Sequence, residues 1–106
     1  MESSMVNEMG NPNNELVKNF FSKSLPEFHL LNENSHGPYW QVSFKKESIV
    51  IKVSGDIGFS IEIFIDSSKY ELWQYDRGVN NALKTTDNNI LYQLEVLKKF
   101  INGLSV

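Results

Sequence analysis

The chain has 106 residues, 41% of them apolar and 22% charged, which suits one globular domain with a single hydrophobic core and not a disordered segment. It has no cysteine, which excludes a disulfide framework, a thiolate nucleophile and a Cys-based zinc site. A net charge of −3 argues against direct binding to nucleic acid, whose partners carry basic surfaces, and suits a basic protein partner better. The opening MESSMVNEMG has neither a basic nor an apolar leader segment, and no run approaches a membrane span. The expectation is therefore a cytoplasmic protein that does not enter a membrane.

Residues 1–10 lack periodicity and are expected to be a flexible terminus. NPNNELVKNFFSK then reads as a helix, with Asn11 as the cap, Pro12 at the first helical position and Glu15 in the first turn. Its apolar face is Leu16, Val17, Phe20 and Phe21, and Pro26 stops it. FHLL reads as a short strand or a packed connection, and NENSHGP as a loop.

From Pro38 the period becomes two. Trp40, Val42 and Phe44, then Ile49, Ile51 and Val53, then Ile61, Ile63 and Ile65 alternate with mostly polar neighbours. Tyr70 to Tyr75 reads as a fourth strand. Two-residue turns at Lys46-Glu47 and Ser67-Ser68 would pair Phe44 with Ile49 and Ile65 with Tyr70. That register puts the aliphatic residues, Tyr70 and Leu72 on one face. The SGDIG turn joins the middle strands, its glycines free to take positive φ. Near the C-terminus, Asp87 or Asn88 caps a helix whose stripe is Ile90, Leu94, Leu97, Ile101 and Leu104, with Gly103 as its stop. The expected fold is α+β: an N-terminal helix, a four-stranded antiparallel meander and a C-terminal helix packed on one face of the sheet, in one domain over 11–106.

The opposite face of that sheet is where recognition is expected. It would carry Phe64, Trp73 and Tyr75 as aromatic anchors beside the carboxylates Glu62 and Glu71, with Asp56, Asp66 and Asp76 at its margins. The alternative is that the first helix or the 76–87 loop covers this face. His29 and His36 are the only histidines, and no motif supplies either with catalytic partners. No cofactor is implied.

IEIFIDSSKYELWQYDRGVNN followed by LKTTDNNILYQLEVLKKFI resembles, in its hairpin, loop and final helix, small bacterial immunity proteins of contact-dependent growth inhibition and related polymorphic toxin systems. The likeness covers roughly the C-terminal half. It implies a cytoplasmic protein without catalysis of its own, which binds a cognate toxin domain, often a nuclease, and blocks its active site or substrate groove. No family residue maps onto this chain. Two other readings stand beside it: a homo-oligomer that pairs its outer faces or an edge strand, and a small enzyme or ligand-binding protein with a cleft near His29 or His36, using Tyr39 or Tyr92.

Overall fold

A computed structural model of the chain describes residues 11–104; the segment expected to be a flexible terminus lies outside them. The element order is α1 (Pro12–Ser24), β1 (His29–His36), β2 (Tyr39–Lys46), β3 (Ile49–Gly55), β4 (Phe59–Ile65), β5 (Ser68–Glu71), a single turn α2 (Leu72–Tyr75), a 3₁₀ turn (Arg77–Asn81) and α3 (Asp87–Leu104). The strands form one antiparallel sheet in the order β1-β2-β3-β4-β5. This is the expected α+β meander between two helices, with five strands in place of four.

The start of α1 is built as its sequence requires. Asn11 is extended and its side chain accepts the Asn13 N–H at 2.8 Å, with Pro12 in the first turn. At α3 the cap is Thr86 rather than Asp87 or Asn88: its hydroxyl accepts from the Asn89 N–H at 3.2 Å and its carbonyl from the Ile90 N–H at 2.9 Å. Asp87 therefore stands inside the first turn, where a carboxylate favours the helix dipole. The helix also runs through Gly103 to Leu104.

Both helices bury their apolar stripes against the same side of the sheet. Val17, Phe20 and Phe21 of α1 and Ile90, Leu94, Leu97 and Ile101 of α3 join Trp40, Val42, Phe44, Ile51, Val53, Ile61 and Ile63 in one cluster. Phe21 stacks on Phe44 with ring centroids 3.8 Å apart. The predicted inner face thus holds for every aliphatic position, although both hairpins turn one residue away from the expected place. The turns are Glu47-Ser48 and Asp66-Ser67, so Lys46 pairs with Ile49 and Ile65 with Ser68. A one-residue displacement of a turn changes the pairing by two, and a change of two keeps every side chain on its face. Tyr70 keeps the expected side but lies at the sheet margin and stays exposed.

Two strand boundaries differ from expectation. His29–His36 is a full edge strand where a loop was expected over 32–38, because Gly37, at φ +60°, and Pro38 make a two-residue turn that sends the chain straight into β2. The last strand ends at Glu71 and not at Tyr75: the Gln74 side chain accepts the Glu71 N–H at 3.1 Å, and the chain winds into a helical turn that buries Leu72. In the SGDIG turn the glycines do not take positive φ. Gly55 is needed there for space, since a Cβ would lie 2.3 Å from the Gly58 carbonyl oxygen. The same turn is tied to the segment before α3, with Phe59 N–H donating to the Leu83 carbonyl at 3.0 Å and Thr85 N–H to that of Ile57 at 3.2 Å.

Candidate functional site: the open face of the sheet

With both helices on the inner side, neither covers the outer face. The 76–87 segment is drawn to the β3–β4 turn by the Gly58–Lys84 bridge and to α3 by Gln93, whose side-chain amide donates to the Ala82 carbonyl at 2.7 Å. Register arranges the outer face in rows. His29, Lys45, Val50, Phe64 and Lys69 stand side by side across the strands, and next to them Asn32, Ser43, Lys52, Glu62 and Glu71. Val50 and Phe64 are part-exposed apolar neighbours.

Glu62 and Glu71 are direct cross-strand partners, a like-charge pairing that costs stability unless a cation intervenes. Lys69 does so, with its ammonium 2.9 Å from Glu62 and 3.9 Å from Glu71. The hydrogen bond to Glu62 raises the Lys69 pKa. The Trp73 indole N–H donates to the Glu71 carboxylate at 3.1 Å. This bond sets the indole at the end of the outer face, 45% exposed. Trp73, Glu71, Lys69 and Glu62 thus form one connected chain of contacts beside Phe64.

Of the eight expected recognition residues, the structure brings together Glu62, Phe64, Glu71 and Trp73. Asp66 is close by at the β4–β5 hairpin tip, in a turn where it and Ser67 both have positive φ. The other three lie elsewhere. Tyr75 turns to the helical side, edge-on to Phe100 at 5.4 Å, because the strand that would have pointed it outward has ended. Asp76 caps the 3₁₀ turn, accepting the Gly78 N–H at 2.8 Å. Asp56 sits in the β3–β4 turn at the opposite end of the sheet, its carboxylate accepting the Ile57 N–H. The outer face is consequently mixed in charge, with Lys45, Lys52 and Lys69 among its carboxylates.

Asn32 and Asn34, expected in a loop, extend this face beside Tyr39 and Gln41 of β2, which the alternation of that strand already places there. In β2 the Tyr39 hydroxyl donates to Gln41 at 2.7 Å and the Gln41 amide to Ser43 at 3.2 Å. The one available signal was Gly37-Pro38, a tight-turn dipeptide between two extended segments.

The histidines occupy the two ends of β1, about 23 Å apart at roughly 3.3 Å per residue. His29 borders a shallow depression of about 330 Å³ with Lys18 and Phe28, and His36 flanks the β1–β2 turn. They do not converge on a common cleft. A larger cleft of about 570 Å³ lies where α1 and α3 both end, against Ile49. At its mouth Glu27 and Lys46 form an ion pair at 2.6 Å, whose hydrogen bond lowers the glutamate pKa and raises that of the lysine. Among the described residues, no group of three His, Cys, Asp or Glu side chains could hold a metal ion, and no helix is long and apolar enough to cross a membrane.

Tyr92 of α3 gives a titration that reports the packing of Asp76. Lost solvation and then the Asp76 carboxylate, to which its hydroxyl donates at 3.4 Å, raise its pKa above the ordinary tyrosine range. A folded-state pKa above the unfolded one contributes stability that is complete below the unfolded value and lost as pH rises through the folded one. An alkaline absorbance titration should therefore show one of the four tyrosines ionising late. Asp76→Asn, which still caps the turn, should bring that phenol down; an unchanged titration would contradict the contact.

Comparison with protein-family models, with curated proteins and with solved structures found no match to this chain.

Proposed function

We propose that the chain is a binding protein of the immunity type, which neutralises a cognate bacterial toxin domain by laying the outer face of its sheet over that domain's active site or substrate groove. The observation that carries this reading is the open outer face, where the half-exposed Trp73 is held by Glu71 beside Phe64 and the Lys69 bridge to Glu62. An aromatic anchor ringed by paired charges is the composition of a recognition centre: the ring supplies buried area at small entropic cost, and the charges set orientation and encounter rate. A nuclease partner would present basic residues to which Glu62, Asp66 and Glu71 are complementary, while Lys45 and Lys52 select against a uniformly basic one. The chain would act in the cytoplasm without catalysis of its own.

The gene immediately upstream should encode a large secreted protein with a variable C-terminal domain, and the test uses that domain; a metabolic operon there would count against the reading. The purified chain should form a stoichiometric complex with that domain and abolish its toxicity on co-expression, and His29→Ala with His36→Ala should do so equally well. Failure to bind or protect overturns the reading. A folded double-histidine variant without activity would restore the enzyme alternative. Self-association is opposed at the β1 edge, where a bulge between Leu30 and Asn32 and the inward-facing Glu33, paired with Lys18 at 3.0 Å, are features that discourage strand-to-strand pairing.

A further inference from the structure

The cleft at the common end of the two helices is built independently of the outer face, on the other side of the sheet. We propose that it binds a small amphipathic organic cation, an amine on an apolar body. Its volume of about 570 Å³ is within the range of small-molecule sites, roughly 300–1,000 Å³. Leu25, Phe28, Ile49, Ile101 and Leu104 supply apolar walls. Ile49 and Leu104 remain part exposed, so an apolar ligand body would remove them from water.

Charge decides the sign of the ligand. The mouth holds two carboxylates, Glu27 and Glu47, against the single ammonium of Lys46. Both long helices also deliver their C-terminal ends here, each equivalent to about half a negative charge; Lys23 in the last turn of α1 offsets that end, whereas α3 has no basic residue in its last turn. The cleft therefore favours a cation. Its mouth already holds one, since the Lys46 ammonium lies 2.6 Å from Glu27 and 6.0 Å above the Phe28 ring.

Glu47 is the group left to hold a second. Among the described residues its carboxylate has no hydrogen bond or ion pair, and its electrostatic partner is the Lys46 ammonium, which Glu27 already holds at 2.6 Å. The Glu47 backbone sits at φ +55°, a conformation that glycine or asparagine adopts at lower cost than glutamate. The two-residue β2–β3 turn accounts for that φ, as the β4–β5 turn does for Asp66 and Ser67; the turn leaves the Glu47 carboxylate on the rim of the apolar cleft, where it would meet a cation entering there.

Phenylbutylamine and phenylbutyrate share an apolar skeleton and differ in charge. Titrated into methyl-labelled protein, the amine should perturb the methyl resonances of Leu25, Ile49, Ile101 and Leu104, and bind about five-fold or more tightly than the acid, the effect of one part-exposed charge pair. Glu47→Gln should erase that preference without changing the thermal midpoint. Glu47→Gly, which relieves the positive φ, should hold or raise the midpoint and also lose the preference. The proposal is overturned if millimolar amine leaves these methyls unmoved, if acid and amine bind alike, or if both variants keep the preference.

Discussion

Ile51→Ala and Ile63→Ala are each expected to lower the free energy of unfolding by about 2–5 kcal/mol, the range for emptying a buried aliphatic site. The two are cross-strand partners at the centre of the sheet, both with no exposed surface, and Phe44 lies opposite Ile51 on the other side. Side chains from both helices join the same cluster, so a cavity there has packed walls on several sides and little scope to collapse. Their immediate neighbours give the contrast. Lys52 and Glu62 are also cross-strand partners but point to the outer face, where truncation usually costs less than about 0.5 kcal/mol. Glu62→Ala also loses the contact with Lys69, adding about 0.2–1 kcal/mol at most for an exposed pair. Urea unfolding of the four variants separates the two faces. Similar losses at all four positions would show that the faces are wrongly assigned.

The second large effect concerns binding. If the outer face is the contact surface, Trp73→Ala should weaken the complex by about 2 kcal/mol or more, roughly thirty-fold, and mainly by faster dissociation. The half-exposed indole is anchored by its bond to Glu71, so it meets a partner already oriented, with little entropy left to lose. Glu62→Gln with Glu71→Gln should instead slow association and flatten its salt dependence, because rim charges act mainly during encounter. Asp76→Asn is the internal control: its carboxylate belongs to the 3₁₀ turn and to Tyr92, so neither rate should change. Surface-bound kinetics at two salt concentrations, on variants first shown to be folded, reads all three. Unchanged rates for Trp73→Ala and for the double glutamine variant would remove the outer face from the interface.

The aliphatic alternation in β2, β3 and β4 determined by itself which side of the sheet is core, and it did so although both hairpin turns sit one residue from the expected place. The reason is that side chains repeat every two residues while the correction to the pairing is also two. Asn11-Pro12 likewise specifies the start of α1 locally, since a cap needs only its own next turn. What depended on distant partners was not legible. HLL reads as a short strand or a packed connection and NENSH as a loop, and together they become one strand because β2 takes up their backbone hydrogen bonds. YELWQY has the alternation of a strand, yet it leaves the sheet at Glu71, where the helical turn puts Leu72 into the core. That early exit decided the candidate site. It left Trp73 beside Glu71 on the open face and carried Tyr75 and Asp76 to the helical side, where Phe100 and Tyr92 receive them. The position at which a strand stops is set by which side chain gains most from burial, and that gain exists only once both helices have packed on the sheet.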